Sequence, residues 1–350
     1  MSSPPRVWVL LGRGAGGNGQ LLSLAQALGW PYETRRMAHN ALHVVPNLLL
    51  GATAITVDRR RSDALAPPWP DLVLAAGRRA APVSRWIRRQ SGGRARLVHL
   101  LHAQVPLDRF DLVISLPHYR LPPRDNVLVL TGALNRMDPA QLSAAGAAWK
   151  PRLEHLPRPW IAVVAGGDSS SYRFSPEVAT RLGRLASEEA RRVGGSLLVS
   201  TTPRTSAPAA DALLAAIDAP AFAYRFKPRD PDNPYPAFLA LADRFVVTVD
   251  SASLPVEASV TGRPVQVMEW PRRGRATLAP LRGLRGRLAW WGLIKPARDF
   301  EAYHRGLRER GLTTRLGDGP PREPSAPPDD LERAAERVRA LFRDRPCDSV

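Results

Sequence analysis

Cysteine is almost absent from these 350 residues: the single one, Cys347, stands close to the end of the chain. One thiol excludes an intrachain disulfide framework and a thiolate metal site built within one chain, and it suits a reducing compartment. Long apolar runs are missing as well. No stretch approaches the ~20 apolar residues that a membrane-spanning helix needs. The opening "MSSPPRVWVLLG" has a short apolar run that soon meets glycine and arginine, unlike a secretory leader. The expectation is a cytoplasmic protein whose membrane contact, where there is any, is peripheral and at the inner membrane face. Acids are outnumbered, 32 Asp and Glu against 50 Lys and Arg, for a net charge of +18 that comes mostly from arginine. No paired-aspartate metal motif stands out, so no metal is expected. The arginines lack a helix-turn-helix, zinc or RNP context, so nucleic acid is not expected either. The surplus points to phosphorylated small molecules or anionic lipid.

What is present is alternation. Short apolar runs (Val7–Leu11, Ala54–Val57, Leu72–Ala75, Arg96–Leu101, Leu112–Ser115, Asn126–Leu130) alternate with helical stretches at Gln20–Leu28, Arg79–Arg89 and Pro139–Lys150. Apolar strands separated by helices predict a parallel sheet covered on both faces. "WKPRLEHLPRPW", residues 149–160, has three prolines and no period, and reads as a linker. A second series then runs from Trp160–Val164 to Pro264–Met268. The Pro-rich "DGPPREPSAPPDD" precedes a last amphipathic helix, Leu331 to Phe342, expected to dock on the body. The domains expected are 1–150, 151–317 and a closing connector and helix at 318–350. The fold class is α/β, two Rossmann-like parallel-sheet domains facing a cleft.

Each series opens with a strand that runs into a glycine turn. In "VWVLLGRGAGGNGQ" the glycines of G-x-G-x-x-G stand at Gly12, Gly14 and Gly17, beside Asn18. Such a turn lets backbone N–H groups approach an anion at a helix N-terminus. A nicotinamide site also wants an acid at the end of the second strand. Glu33 has the right distance in sequence but stands where that strand would begin, and two arginines follow. No NAD is therefore expected, and the loop is assigned to an acceptor. In the second series "GGDSSSYRF" offers Gly166, Gly167, Asp168, Ser169 and Ser170. "STTPRT" offers Thr201 and Arg204, and "TVDSASLPVEASVTGRPV" offers Ser251, Ser253 and Glu257. All three stretches follow strands, so parallel pairing gathers them at one sheet edge.

The segments "PDLVLAAGRRAAPVSRWIRR", "NVLVLTGALNR", "LPRPWIAVVAGGDSSSYRF" and "NPYPAFLALADRFVVTVDSASLPVEASVTGRPV" together resemble the mitochondrial-fission (elongated mitochondria) family and its bacterial members, over roughly residues 5 to 310. The resemblance implies a GT-B-like fold, in which a glutamate at the Glu257 position takes the ribose hydroxyls of a nucleotide sugar. Relatives tend to carry an acid after the histidine of "PHYR"; here that residue is Tyr119. The expected function is a metal-independent glycosyltransferase with a nucleotide-diphosphate sugar as donor substrate, no cofactor, and an envelope-type acceptor, lipid-linked or not. Alternatives are an inert adaptor of the same fold and an NAD-dependent epimerase. His118 and Asp168 are the candidate bases, with His102 as a rival histidine. Arg78 and Arg79, with Gly14, Gly17 and Asn18, form the acceptor side. A basic, tryptophan-bearing stretch at 270–294 is the expected contact with anionic membrane.

Overall fold

The computed structural model describes residues 4–134, 138–169, 171–273, 298–319 and 328–343. They divide into two compact units that interleave along the chain. Unit 1 lies within Met1–Arg136, Ala276–Asp299 and Asp329–Val350; unit 2 lies within Met137–Arg275 and Phe300–Pro328. The ranges expected from sequence run consecutively and the compact units do not.

Unit 1 is built on β1 (Val7–Leu11), α1 (Ala15–Leu28), β2 (Tyr32–Arg36), α2 (Asn47–Leu50), β3 (Leu72–Ala76), α3 (Gly77–Gln90), β4 (Arg96–Leu100), β5 (Leu112–Ser115) and β6 (Val127–Val129). The strands form one parallel sheet in the order β2-β1-β3-β4-β5-β6. Its centre reads as continuous apolar runs because both faces are covered: Val7, Trp8, Val9, Leu10, Leu72, Val73 and Leu74 are all buried. One expectation is corrected here, the strand at Ala54–Val57. The second strand of the sheet is Tyr32–Arg36, "YETRR", an edge strand whose charged side chains reach water. Ala54–Val57 is not a strand; it makes a single bridge, His39 to Val57, inside a long connection.

Unit 2 follows with α4 (Pro139–Leu153), β7 (Trp160–Ala165), α5 (Pro176–Val193), β8 (Ser196–Thr201), α6 (Ala207–Ala215), β9 (Ala221–Tyr224), α7 (Tyr235–Leu241), β10 (Arg244–Thr248), α8 (Leu254–Ser259), β11 (Val265–Met268), α9 (Phe300–Glu309) and β12 (Thr314–Arg315). Its sheet is also parallel, in the order β12-β11-β10-β7-β8-β9. The helix α4 runs through Pro151 to Leu153, so the expected linker is shorter than 149–160. The order places β7 at the centre, flanked by β10 and β8. Loops that leave these three strands must emerge side by side.

The last helix, α10 (Asp330–Ala340), belongs to unit 1. It buries Ala334, Ala335 and Val338 at i, i+1 and i+4. Asp330 accepts hydrogen bonds from the amides of Thr131 and Gly132, and Arg339 donates to the Ala27 carbonyl. The two-domain, parallel α/β class expected from the alternation is the class found. No helix among the described residues is long and apolar enough to cross a membrane. Residues 274–294 of the basic stretch lie outside the described residues, as do Ser170 and Cys347.

Candidate functional site

In unit 2 the three polar loops meet. The Gly166 amide donates to Thr248 Oγ1 at 2.8 Å, and the Gly167 amide to Asp250 Oδ2 at 3.0 Å. The Thr205 hydroxyl donates to the Ala165 carbonyl at 3.1 Å. A Cβ on Gly166 would lie 2.3 Å from Asp250 Oδ1, and one on Gly167 2.0 Å from the Arg204 carbonyl. These two positions are therefore glycine because the loops after β7, β8 and β10 close on one another.

Asp250 locks the junction. Its side chain is fully buried, and Arg204 Nη1 stands 2.6 Å from Oδ2. The arginine is 40% exposed, so one side of its guanidinium answers the buried acid while the other reaches solvent. Asp250 was not among the expected site residues. Its signal was an acid in "TVDS", at the carboxyl end of a strand, one residue before the serine that was singled out.

Several expected ligand-binding groups are engaged within the protein, some with their own loops and some with neighbouring ones. Asp168 Oδ1 accepts the Phe174 amide at 2.8 Å. Ser169 Oγ accepts the Ser171 and Tyr172 amides, and Thr201 Oγ1 accepts the Phe226 amide. Ser251 Oγ accepts the Leu254 amide at 3.3 Å and lies 3.4 Å from Ser253 Oγ, so it starts α8. Glu257, half-buried on α8, accepts a hydrogen bond from the Tyr235 hydroxyl. Burial, with the Glu257 charge beside it, holds that phenol well above its ordinary range. The junction is braced by α9: Tyr303 donates to the Ala252 carbonyl and His304 Nε2 to the Val249 carbonyl at 2.8 Å. Burial pushes the His304 imidazole down to about 4, so it stays neutral at pH 7.

Unit 1 holds a cavity of about 420 Å³ at the carboxyl ends of its strands. Gly12, Gly14, Gly17, Asn18, Arg78 and Arg79 all line it, which brings the expected acceptor-side residues together. Two further arginines, Arg13 and Arg298, join them, and no carboxylate is in the lining. Both α1 and α3 begin at this cavity. Neither has a side-chain cap or an acid in its first turn, so their leading N–H groups and positive dipole ends add to the arginine field.

Gly12, Gly14 and Gly16 have no atom within 4 Å of a built Cβ, and none has a positive φ. No turn or neighbour demands glycine there; what its use leaves is open space beside the cavity. Asn18 is structural, accepting from the Gly12 amide and donating to the Gly12 carbonyl. Two lining residues, Leu101 (φ 68°) and Gln104 (φ 54°), occupy the left-handed region that disfavours side chains. Glu33 pairs with Arg35 and lies in register with Trp8, while the last register pair of β1 and β2 is Leu11 with Arg36. The carboxyl end of the second strand is thus basic.

The histidines separate. His102 lines the cavity, and burial followed by the charge of Arg298 lowers it to about 4. Its Nδ1 accepts the Gln104 amide at 3.0 Å, which assigns the proton of the neutral ring to Nε2. His118 is 3% exposed and outside the lining, with its ring centroid 4.4 Å from that of Tyr119 and tilted 36° to it; Tyr119 does line the cavity. Among the described residues no group of three or more His, Cys, Asp or Glu side chains is placed to hold a metal ion.

Comparison with known proteins follows from this geometry. The family described as "Mitochondrial fission ELM1" matches residues 15–342. The Mitochondrial fission protein ELM1 of Arabidopsis thaliana is 31% identical over 221 residues, covering 57% of this chain and 51% of that protein. The chain thus spans about half the length of that relative. An uncharacterized protein of Rickettsia prowazekii (strain Madrid E) is 24% identical over 76% of this chain and 83% of its own length. Among solved structures, Acinetobacter baumannii MurG has a TM-score of 0.48 at 14% identity, covering 96% of this chain and 100% of that one. The S. aureus MnaA–UDP co-structure has 0.48 at 12% identity, covering 99% and 100%.

Proposed function

The chain belongs to the Mitochondrial fission ELM1 family, and from that premise we propose that it is a glycosyltransferase: unit 2 takes a nucleotide-diphosphate sugar and unit 1 takes the anionic part of an acceptor. One observation carries the reading, the closure of the loops after β7, β8 and β10 onto Asp250 at one edge of the unit 2 sheet.

The roles follow from chemistry. Glu257, oriented by Tyr235, is assigned the ribose hydroxyls, for which a carboxylate is a two-oxygen acceptor. The outward side of Arg204, the backbone and hydroxyls of Gly166, Gly167, Ser169 and Ser170, and Thr201, Ser251 and Ser253 are assigned to the diphosphate. A positive group there stabilises the charge that develops when the bond from the anomeric carbon to the diphosphate oxygen breaks. The acceptor hydroxyl must lose its proton as its oxygen bonds to that carbon. We assign the proton to Asp168, which is exposed, rather than to the buried His118. In unit 1 the arginine-lined cavity is assigned to a phosphate-bearing acceptor.

One observation favours the second reading, an inert adaptor: Asp168, Ser169 and Ser251 each use a side-chain oxygen on their own loops, and Thr201 uses its hydroxyl on the Phe226 amide after β9. A thermal-shift screen against UDP-, GDP- and CMP-sugars and NAD separates the readings. The proposal expects a diphosphate sugar to raise the unfolding midpoint; at about a hundredfold excess over Kd a ligand stabilises by about 2.7 kcal/mol. NAD should leave the midpoint unmoved. No shift with any nucleotide sugar supports the adaptor, and a shift with NAD supports the epimerase.

A further inference from the structure

The large aliphatic side chains that face solvent are concentrated in one segment. Of the seven such residues among those described, Leu42, Val44, Leu48, Leu49 and Ile55 lie in unit 1 between β2 and β3, with Val44 68% and Leu49 73% exposed. Residues 38–57 contain no acidic or basic residue except histidine. Isolated exposed aliphatics are ordinary on a folded surface; five within fourteen consecutive residues are a patch.

The way this segment is held is unusual for a loop. Asn47, itself buried, donates to the carbonyls of Arg78 and Ala103 at 2.8 Å. The Thr53 amide donates to the Pro82 carbonyl of α3 at 3.1 Å, and arginines of α3 add further bonds. Arg78 donates to the carbonyls of Val44 and Val45, Arg79 stands 3.0 Å from His43 Nε2, and Arg85 donates to the Gly51 carbonyl at 3.2 Å. None of these bonds uses a carboxylate, so the guanidinium charges behind the patch are not cancelled by it. The helix α3 itself has no acidic residue.

An uncharged apolar platform backed by arginines matches one surface chemistry, a bilayer whose headgroups are anionic. Apolar side chains enter the headgroup–acyl boundary, and arginines stay at the level of the phosphates. We propose that residues 41–55 of unit 1 are a docking surface for membranes that contain anionic phospholipid, with Val44 and Leu49 as the inserting side chains. The inference does not rest on the sugar-donor reading. A chain that binds no nucleotide could still dock, and a transferase could be indifferent to lipid.

The test is co-sedimentation of the full chain with vesicles of phosphatidylcholine alone and of phosphatidylcholine mixed with phosphatidylglycerol. The chain should pellet only with the mixed vesicles, and less as salt shortens the Debye length from ~10 Å at 0.1 M to ~3 Å at 1 M. The double variant Val44→Ser with Leu49→Ser should bind about tenfold more weakly, about 1.4 kcal/mol. Both positions are exposed, so its unfolding midpoint and any nucleotide affinity should match the wild type; Ile55→Ser gives an independent second variant. Val260→Ser, at an exposed aliphatic of unit 2, should bind as the wild type does. Four results would overturn the proposal. The first is no binding by the wild type, and the second is equal binding by the double variant. The third is loss only when Arg282, Arg285 and Arg287 are changed together to Ser, which would move the contact to the 270–294 stretch. The fourth is self-association that the double variant abolishes while vesicles are ignored, which would make a second copy the occupant.

Discussion

Glycine is used for two opposite reasons in this chain, and single substitutions separate them. At Gly166 a methyl group would meet Asp250 and Thr248 oxygens at 2.3 to 2.6 Å, whereas at Gly16, inside α1, it would meet nothing within 4 Å. Gly166→Ala should therefore destabilise unit 2 by more than ~2 kcal/mol. Gly16→Ala should be neutral or stabilising by up to about 1 kcal/mol, because alanine gives up less backbone entropy in a helix. Urea unfolding of both variants checks the pair, and equal costs would mean that the loop closure at Gly166 is not what fixes the residue. Asp250 makes the same point from the other side. Asp250→Ala leaves the Gly167 amide without its acceptor and should cost about 1–3 kcal/mol. The local signal, an acid at the carboxyl end of a strand, does not by itself give Asp250 its role. Its meaning lies in two partners more than forty positions away, Gly167 and Arg204.

The elements were legible where burial sets the residue pattern and illegible where it does not. Central strands such as Leu72–Ala76 and Trp160–Ala165 are apolar because helices cover both faces. The edge strand Tyr32–Arg36 has one sheet neighbour, so its sequence can be charged and it hides from any apolar search. Ala54–Val57 erred in the other direction: Ile55 is apolar but 60% exposed. The convergence of the unit 2 loops was legible, since parallel pairing alone predicts it. Which hydroxyls their own loops would consume was not, because capping depends on geometry within a few residues. The brace α9 adds a pH dependence. Burial holds the folded-state imidazole of His304 at about 4, below its ordinary 6.5, and His39 and His102 in unit 1 are lowered alike. Groups depressed in this way stabilise the fold fully above 6.5 and lose that contribution as pH falls toward 4. The unfolding midpoint should therefore fall between pH 6.5 and 4.5, before most carboxylates titrate. His304→Gln, which keeps a donor for the Val249 carbonyl, should flatten part of that fall in unit 2; an unchanged slope would contradict the assignment.

At the scale of the whole molecule, two six-stranded parallel sheets give two sets of loops, and the two sets have different chemistry. The unit 2 loops centre on a buried acid and an outward arginine, with Glu257 nearby on α8. The unit 1 cavity has four arginines, two uncapped helix starts and no acid. That asymmetry suits a pair of different anionic ligands better than a dinucleotide. Saturable NAD binding at micromolar concentration, abolished by Gly14→Val, would argue against it. The central claim is that unit 2 holds a nucleotide sugar through Glu257. The measurement that tests it most directly is calorimetric titration of UDP- and GDP-sugars into the full chain and into its Glu257→Ala variant, each first shown to be folded. The account predicts saturable binding to the wild type and a ten- to hundredfold loss in the variant, as expected from losing charge-assisted hydrogen bonds worth ~1.5–3 kcal/mol. Equal affinity of the two proteins, or no binding to either, would contradict it.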